Sequence, residues 1–192
     1  MKKTGCFFII AFLGALCLLS CRSPHSSVKG NQDDWDTLRM SWSKYSNTEL
    51  GFTFHYSNTW TKAGDDIRMT DLTGNLTALQ INFKNEASGM TLLVVYHLAP
   101  QGKEICEKAV SQFDPTKDSK RDVAGMPAVL LNSRLTVDGR GNALEPPVDL
   151  ITAHFPAKDP GASVEVQFKT PDGKQVSELL KFERLLDSFR FE

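Results

Sequence analysis

The sequence predicts an α+β domain with a largely antiparallel sheet. Several segments alternate apolar and polar residues with a period of two, which is typical of half-buried strands. Two other segments carry an apolar stripe with helical spacing, and turn-forming residues separate the elements. Runs of strands interrupted by helices at only two places favour an α+β fold over an alternating α/β fold.

Six stretches predict strands. Phe52, Phe54 and Tyr56 alternate with polar residues, and residues 79–83 do the same. Residues 90–98 form a denser apolar run, which suits a central strand covered on both faces. The remaining predicted strands are Val129–Val137, Val148–Phe155 and Val164–Phe168. Turn residues at 138–142 and 171–173 lie between elements.

Two helices are predicted, followed by a short closing strand at residues 188–191. In the first, Lys103–Phe113, the apolar stripe comprises Cys106, Ala109, Val110 and Phe113. In the second, Lys174–Asp187, it comprises Val176, Leu179, Leu180, Leu185 and Leu186. Asp172 and Gln175 resemble a capping box at the start of the second helix.

The N-terminus has the pattern of a bacterial lipoprotein signal. Lys2 and Lys3 precede an apolar run from residue 6 to residue 19, which is shorter than the roughly 20 residues of a spanning helix. Leu18-Leu19-Ser20-Cys21 then predicts cleavage between Ser20 and Cys21 and diacylation of the Cys21 thiol. An uncleaved anchor helix, or an ordinary signal cut elsewhere, is the alternative.

This interpretation predicts a protein held in the bacterial cell envelope by the lipid on Cys21. Two acyl chains suffice for stable anchoring where one does not. Arg22, rather than aspartate, follows the cysteine. By analogy with enterobacterial sorting, this favours the outer membrane, at its periplasmic face or at the cell surface.

We expect three regions: a signal peptide at residues 1–20, a lipidated cysteine and flexible tether at 21–41, and one globular domain at 42–192. The tether is rich in serine and aspartate. Asp33, Asp34 and Asp36 could meet a calcium ion there, although a solvated linker explains them more simply. The formal net charge of −1 provides no basic surface for nucleic acid. Once Cys21 is lipidated, Cys106 is the only thiol after the signal, so a monomer without an intramolecular disulfide is expected.

Three short motifs resemble a known family. Gly51-Phe52-Thr53-Phe54-His55-Tyr56 with Trp60, Val123-Ala124-Gly125-Met126-Pro127-Ala128, and the closing Ser188-Phe189-Arg190-Phe191 are similar to PsbP-like domains. The resemblance covers residues 42–192. It implies an antiparallel sheet flanked by helices, an α/β/α sandwich, and a strand opening at residues 123–128. Most members of this superfamily are non-enzymatic binding or assembly factors, and no family site transfers to named residues here.

The sequence contains few candidates for chemistry. It has no Gly-x-Ser-x-Gly elbow, no phosphate-binding Walker loop and no His-Glu-x-x-His motif. His55, His97 and His154 lie in or after predicted strands without metal-ligand spacing, but the fold could bring them together. Cys106 could form a nucleophilic pair with a distant histidine, although its helical stripe favours a buried, inert thiol.

Two acidic clusters and one set of aromatic residues each allow a binding interpretation and a structural one. Asp65, Asp66 and Asp71 form the first cluster, and Asp138 with Asn142 forms the second. Either could bind a hard cation through oxygen ligands, and turn formation is the alternative. Trp60, Tyr56 and Phe155 could line a groove for a sugar or peptide, or pack in the core.

The sequence therefore predicts no cofactor, no metal and no catalytic residue. We expect a non-catalytic envelope lipoprotein that binds another envelope protein or a small ligand. The alternatives are an envelope hydrolase, whose site forms only in three dimensions, and a carbohydrate-binding or adhesive surface lipoprotein.

Overall fold

The computed structural model describes residues 42–138, 140–171 and 175–192. The predicted signal, the Ser20–Cys21 cleavage site, the tether with its three aspartates and the capping residue Asp172 lie outside these ranges. None of the described helices is long and apolar enough to cross a membrane.

The described chain forms eleven strands and two helices. In order they are β1 (Trp42–Asn47), β2 (Phe52–Ser57), β3 (Thr61–Lys62), β4 (Ile67–Thr70), β5 (Leu76–Asn85), β6 (Met90–His97), α1 (Gln101–Ser111), β7 (Ser119–Val123), β8 (Met126–Val137), β9 (Ala143–Pro156), β10 (Ser163–Pro171), α2 (Gln175–Ser188) and β11 (Arg190–Phe191).

These strands build two antiparallel sheets. The large sheet has eight strands in the order β3-β5-β6-β10-β9-β8-β7, with β4 also paired to β5. The small sheet has three strands in the order β1-β2-β11. The predicted antiparallel α+β fold is confirmed, and the closing strand at 190–191 pairs with β2 in the small sheet.

The main core lies between the inner face of the large sheet and a second layer made of the small sheet and α2. Phe182 of α2 stacks on Phe168 of β10 at 4.9 Å, and Phe189 meets Phe155 of β9 at 5.3 Å. On the outer face, α1 covers part of the sheet. A Cβ on Gly102 would come within 2.5 Å of the Ser163 backbone nitrogen, so α1 and β10 touch backbone to backbone there.

The predicted helices form, but their buried faces differ from the prediction. In α1, Gly102 and Ala109 are buried, whereas Val110 is 57% exposed. In α2, Phe182 and Leu186 are buried, whereas Leu180 is 54% exposed. The charged strand Ser119–Val123 and three short strands, β1, β3 and β4, were not predicted. They lack a long apolar alternation because most of their side chains stay at the surface.

Candidate functional site

A groove of about 1020 Å³ lies at the β7 end of the large sheet. We call it the β7 groove. It is bordered by α1, by strands β7, β8 and β9, and by α2. Val110 of α1 and Pro127 of β8 supply exposed apolar surface in it, and buried Val129 lines it from β8. Charged side chains from β7 and α2 complete the lining: Lys120, Arg121, Asp122, Glu183 and Asp187.

The β7–β8 hairpin positions this groove. Val123 and Met126 pair across a two-residue turn, in which Ala124 has φ 52° and Gly125 has φ 78°. Two consecutive positive φ angles are typical of the type I′ turn, whose twist matches that of the flanking strands. The resemblance implied a strand opening at residues 123–128. The structure instead splits this segment between the end of β7, the turn and the start of β8.

Cys106 and His154 both line the β7 groove, as the nucleophile hypothesis required. Cys106 is half-buried, not fully buried as its helical stripe predicted. This partial burial raises the pKa of the free thiol, and the nearby Ser163 hydroxyl offsets only part of that rise. Burial also lowers the pKa of His154, helped by His97 and opposed by Glu165. Reactive cysteines have a lowered pKa beside a cationic partner. A neutral thiol near a neutral imidazole lacks that activation.

His154 belongs to a cluster on the outer face that the sequence did not reveal. The strand register places it opposite Glu165, and His97 Nε2 lies 3.2 Å from Glu165 Oε2. Burial alone would raise the pKa of Glu165. Hydrogen bonds from His97 and from Gln167, at 2.6 Å, lower it overall. The Nδ1 atom of His154 is buried without a hydrogen-bond partner.

The three strand histidines do not form a common site. His97 and His154 lie on the large sheet, whereas His55 lies on β2 of the small sheet, where its backbone N–H donates to Ser188 Oγ at 2.7 Å. Across residues 42–138, 140–171 and 175–192, no three His, Cys, Asp or Glu side chains are placed to hold a metal ion together.

Carboxylates of the two acidic clusters organise their own turns or bind neighbouring side chains. Asp71 accepts hydrogen bonds from the Thr73 hydroxyl and from the backbone N–H groups of Thr73 and Asn75, and these turn contacts lower its pKa to about 2. The Asp138 carboxylate likewise accepts hydrogen bonds from the backbone N–H groups of residues 140 and 142. Asp66 accepts from the Tyr45 hydroxyl at 2.6 Å and pairs with Lys62 at 2.7 Å. Turn formation and local pairing thus account for Asp66, Asp71 and Asp138, whereas Asp65 is exposed at the surface.

Of the two alternatives for Trp60, Tyr56 and Phe155, the structure supports core packing over an aromatic groove. Trp60 is 2% exposed and Phe155 is fully buried, so both belong to the core. Tyr56 is half-buried against Phe83, with ring centroids 4.6 Å apart. The aromatic spacing reflected core packing, which is the commonest use of such side chains.

Comparisons with known proteins support the fold. No family model and no curated protein sequence matches the chain. A crystal structure from Bacteroides thetaiotaomicron VPI-5482 is similar over 80% of this chain, with a TM-score of 0.53 and 12% identity. The chain spans 49% of that structure's length.

A second similar structure belongs to a protein of known fold. The solution structure of cyanobacterial PsbP from Synechocystis sp. PCC 6803 matches over 79% of this chain and 93% of its own length, with a TM-score of 0.50 and 18% identity. The described domain therefore has the PsbP-like α+β fold. At this level of identity the likeness establishes the architecture, and the resemblance seen in the short sequence motifs is confirmed at that level.

Proposed function

We propose that this chain is a lipid-anchored lipoprotein of the bacterial envelope, and that its non-catalytic PsbP-like domain binds partner proteins. The lipid on Cys21 holds it at the membrane, and the β7 groove receives a partner protein. The observation that carries the proposal is the groove itself: about 1020 Å³ bounded by two helices and an edge strand, with exposed apolar surface at Val110.

The electrostatics of the groove support binding rather than catalysis. Burial keeps the pKa of the Cys106 thiol high, and the pKa of His154 is low. These directions of the two pKa values disfavour a preformed thiolate–imidazolium pair in the groove. Apolar surface with a few polar groups around it is the usual composition of a binding surface.

Site-specific photocrosslinking in the native envelope tests this proposal. Two exposed valines form a matched pair: Val110 in the groove, 57% exposed, and Val137 at the far end of β8, 53% exposed. A photoreactive residue at position 110 is expected to capture one defined partner, and the same residue at position 137 is not. Equal labelling from both positions, or none from position 110, would contradict a partner in the groove.

A second experiment tests the hydrolase alternative. Cys106 and His154 both line the β7 groove, so they are the two residues to replace. Cys106→Ala and His154→Ala variants that remain folded are expected to retain the cellular role. Because both residues also line the proposed binding groove, complete loss of that role in a folded variant that still captures its partner from position 110 would favour an enzyme over a binding module.

A further inference from the structure

Strand β7 ends the large sheet with one edge free. Among the described elements it pairs only with β8, and Ser119, Lys120 and Asp122 are exposed. Free strand edges are templates for pairing with another chain, so natural proteins usually cover or blunt them. This edge also lines the β7 groove.

The register shows which backbone groups of β7 face outward. Val123 and Met126 close a two-residue turn and form a hydrogen-bonded pair, so Arg121 with Ala128 is the next such pair along the ladder. Asp122 lies between them, opposite Pro127, which has no N–H to donate. The N–H and C=O groups of Lys120 and Asp122 therefore point away from β8, toward the groove.

The side chains around this edge leave two carboxylates available. Lys120 lies over the Phe113 ring, with Nζ 4.5 Å from the ring centroid, and Arg121 pairs with Asp187. Asp122 and Glu183 are exposed and make no ion pair with any residue that the structure describes. The contact with Phe113 leaves the positive charge of Lys120 in place, so the charged residues that line the groove carry a net charge of −1, which favours a basic ligand over an acidic one. Val110 adds exposed apolar surface on the α1 side.

We propose that the free edge of β7 binds an extended peptide segment of a partner protein as a ninth strand of the large sheet. This inference rests on the proposed binding function and names its surface and the chemistry of its partner. The peptide forms backbone hydrogen bonds with Lys120 and Asp122. Asp122 lies on the α1 side of the sheet with Lys120 and Val110, whereas Glu183 lies on the α2 side. Since side chains of an added strand alternate between the two faces, the peptide presents a basic and an apolar side chain toward α1 and a further basic side chain toward α2.

Peptide binding to the full-length lipidated protein in detergent tests the proposal. The probe is a fluorescein-labelled heptapeptide, Lys-Lys-Val-Val-Lys-Lys-Val, which presents lysine and valine on both faces of an added strand, and the matched control replaces each lysine with glutamate. We expect the lysine peptide to bind at least about tenfold more tightly, because like charges at the edge repel the control. N-methylation of alternate backbone nitrogens is expected to abolish binding, and amide exchange at Lys120 and Asp122 is expected to slow when the lysine peptide binds.

Variants separate the backbone and charge contributions. Asp122→Pro removes both the carboxylate and an outward N–H that β8 does not use, so it is compared with Asp122→Asn, which removes the charge alone. Only the proline variant is expected to abolish binding while the hairpin stays intact. The double variant Asp122→Asn/Glu183→Gln is expected to weaken binding about five- to tenfold. Glu104→Gln, on the exposed surface of α1, is the control and is expected to bind normally. If Asp122→Pro fails to fold, the N-methylated peptide still tests the backbone contacts.

Some outcomes would overturn the proposal. These are equal binding of both peptides, full binding of the N-methylated peptide, or no protection of the Lys120 and Asp122 amides. The proposed function can fail separately. If a photoreactive residue at position 110 captures a partner and Asp122→Pro leaves that capture unchanged, a partner binds the groove but does not extend the sheet. If position 110 captures nothing, the binding function itself is wrong.

Discussion

The indole Nε1 of Trp60 donates a 2.7 Å hydrogen bond to the carboxylate of Glu178, which lies 118 residues later in the chain. Glu178 is 4% exposed and also accepts from Lys181 Nζ at 2.7 Å and from Asn85 Nδ2 at 3.5 Å. A buried carboxylate is stable only when its oxygens are hydrogen-bonded. This network therefore connects the start of α2 to the loop after β2 and to the end of β5.

Replacing Glu178 is expected to destabilise the fold. Glu178→Ala leaves the buried indole N–H without its acceptor and should lower the free energy of unfolding by about 1–3 kcal/mol. Urea unfolding followed by Trp fluorescence measures the change. Glu183→Ala, an exposed glutamate on the same helix, should change stability by less than about 0.5 kcal/mol. Equal effects of the two substitutions would show that the buried network contributes nothing.

Gly102 is expected to tolerate no side chain. A Cβ at this position would lie 2.5 Å from the backbone nitrogen of Ser163 and 2.7 Å from the carbonyl carbon of Ala162. Gly102→Ala should therefore push α1 off the sheet and cost about 1–3 kcal/mol, despite the better helix propensity of alanine. Gln101→Ala, at the exposed neighbouring position, is the control. A stabilised Gly102→Ala protein in thermal unfolding would mean that α1 does not pack this closely.

Ala124 is a position where substitution should stabilise the protein. Its φ of 52° is the only positive φ of a non-glycine residue in the described chain. Asparagine tolerates this conformation better than alanine, so Ala124→Asn should raise the free energy of unfolding by roughly 0.5–1 kcal/mol. Ala87→Asn makes the same change at an exposed turn residue without a positive φ and should give no gain. A destabilised Ala124→Asn protein would contradict the turn assignment.

Stability should fall as the pH drops below about 6.5 because of His154. Burial lowers its folded-state pKa below the ordinary value of 6.5, so the unfolded chain binds the proton first. The stability that the neutral form of His154 contributes to the folded state is fully present above pH 6.5 and is lost as the pH falls toward the folded-state pKa of His154. The pKa of Glu165 is lowered from its ordinary value of 4.5, so the titration of Glu165 affects the free energy of unfolding only at more acidic pH.

Unfolding free energies between pH 8 and pH 5 check this prediction. His154→Gln, which cannot titrate, should show a shallower pH dependence than the natural protein across that interval. Identical slopes for the two proteins would exclude His154 as the titrating group.

The anchoring prediction concerns Cys21. Cys21→Ser removes the thiol that accepts diacylglycerol, so palmitate labelling should be abolished and the product should be unprocessed or soluble. Cys106→Ser is the matched control because it removes the other cysteine after the signal, and it should keep full labelling. A serine variant at position 21 that remains acylated and membrane-bound would show that the lipoprotein interpretation is wrong.

The sequence predicted the elements whose side chains enter the core. Phe52 and Phe54 alternate with polar residues because one side of β2 faces the core, whereas the dense apolar run of β6 reflects a central strand with buried residues on both faces. The two helices were predicted in the same way, because each buries one side and therefore carries apolar residues at helical spacing. That spacing did not determine which apolar residue of each stripe faces outward, since Val110 and Leu180 satisfy helical spacing as well as their buried neighbours do.

Only the tertiary structure decided what the candidate site contains. Strand register placed His154 opposite Glu165 on the neighbouring strand and brought both close to His97, which lies far earlier in the sequence. The charged strand β7 has no apolar pattern, and its free edge exists because no further strand pairs beyond it in the described sheet. Local sequence records which residues prefer burial. Which distant residues meet depends on long-range strand pairing, and no short segment of the chain contains that information.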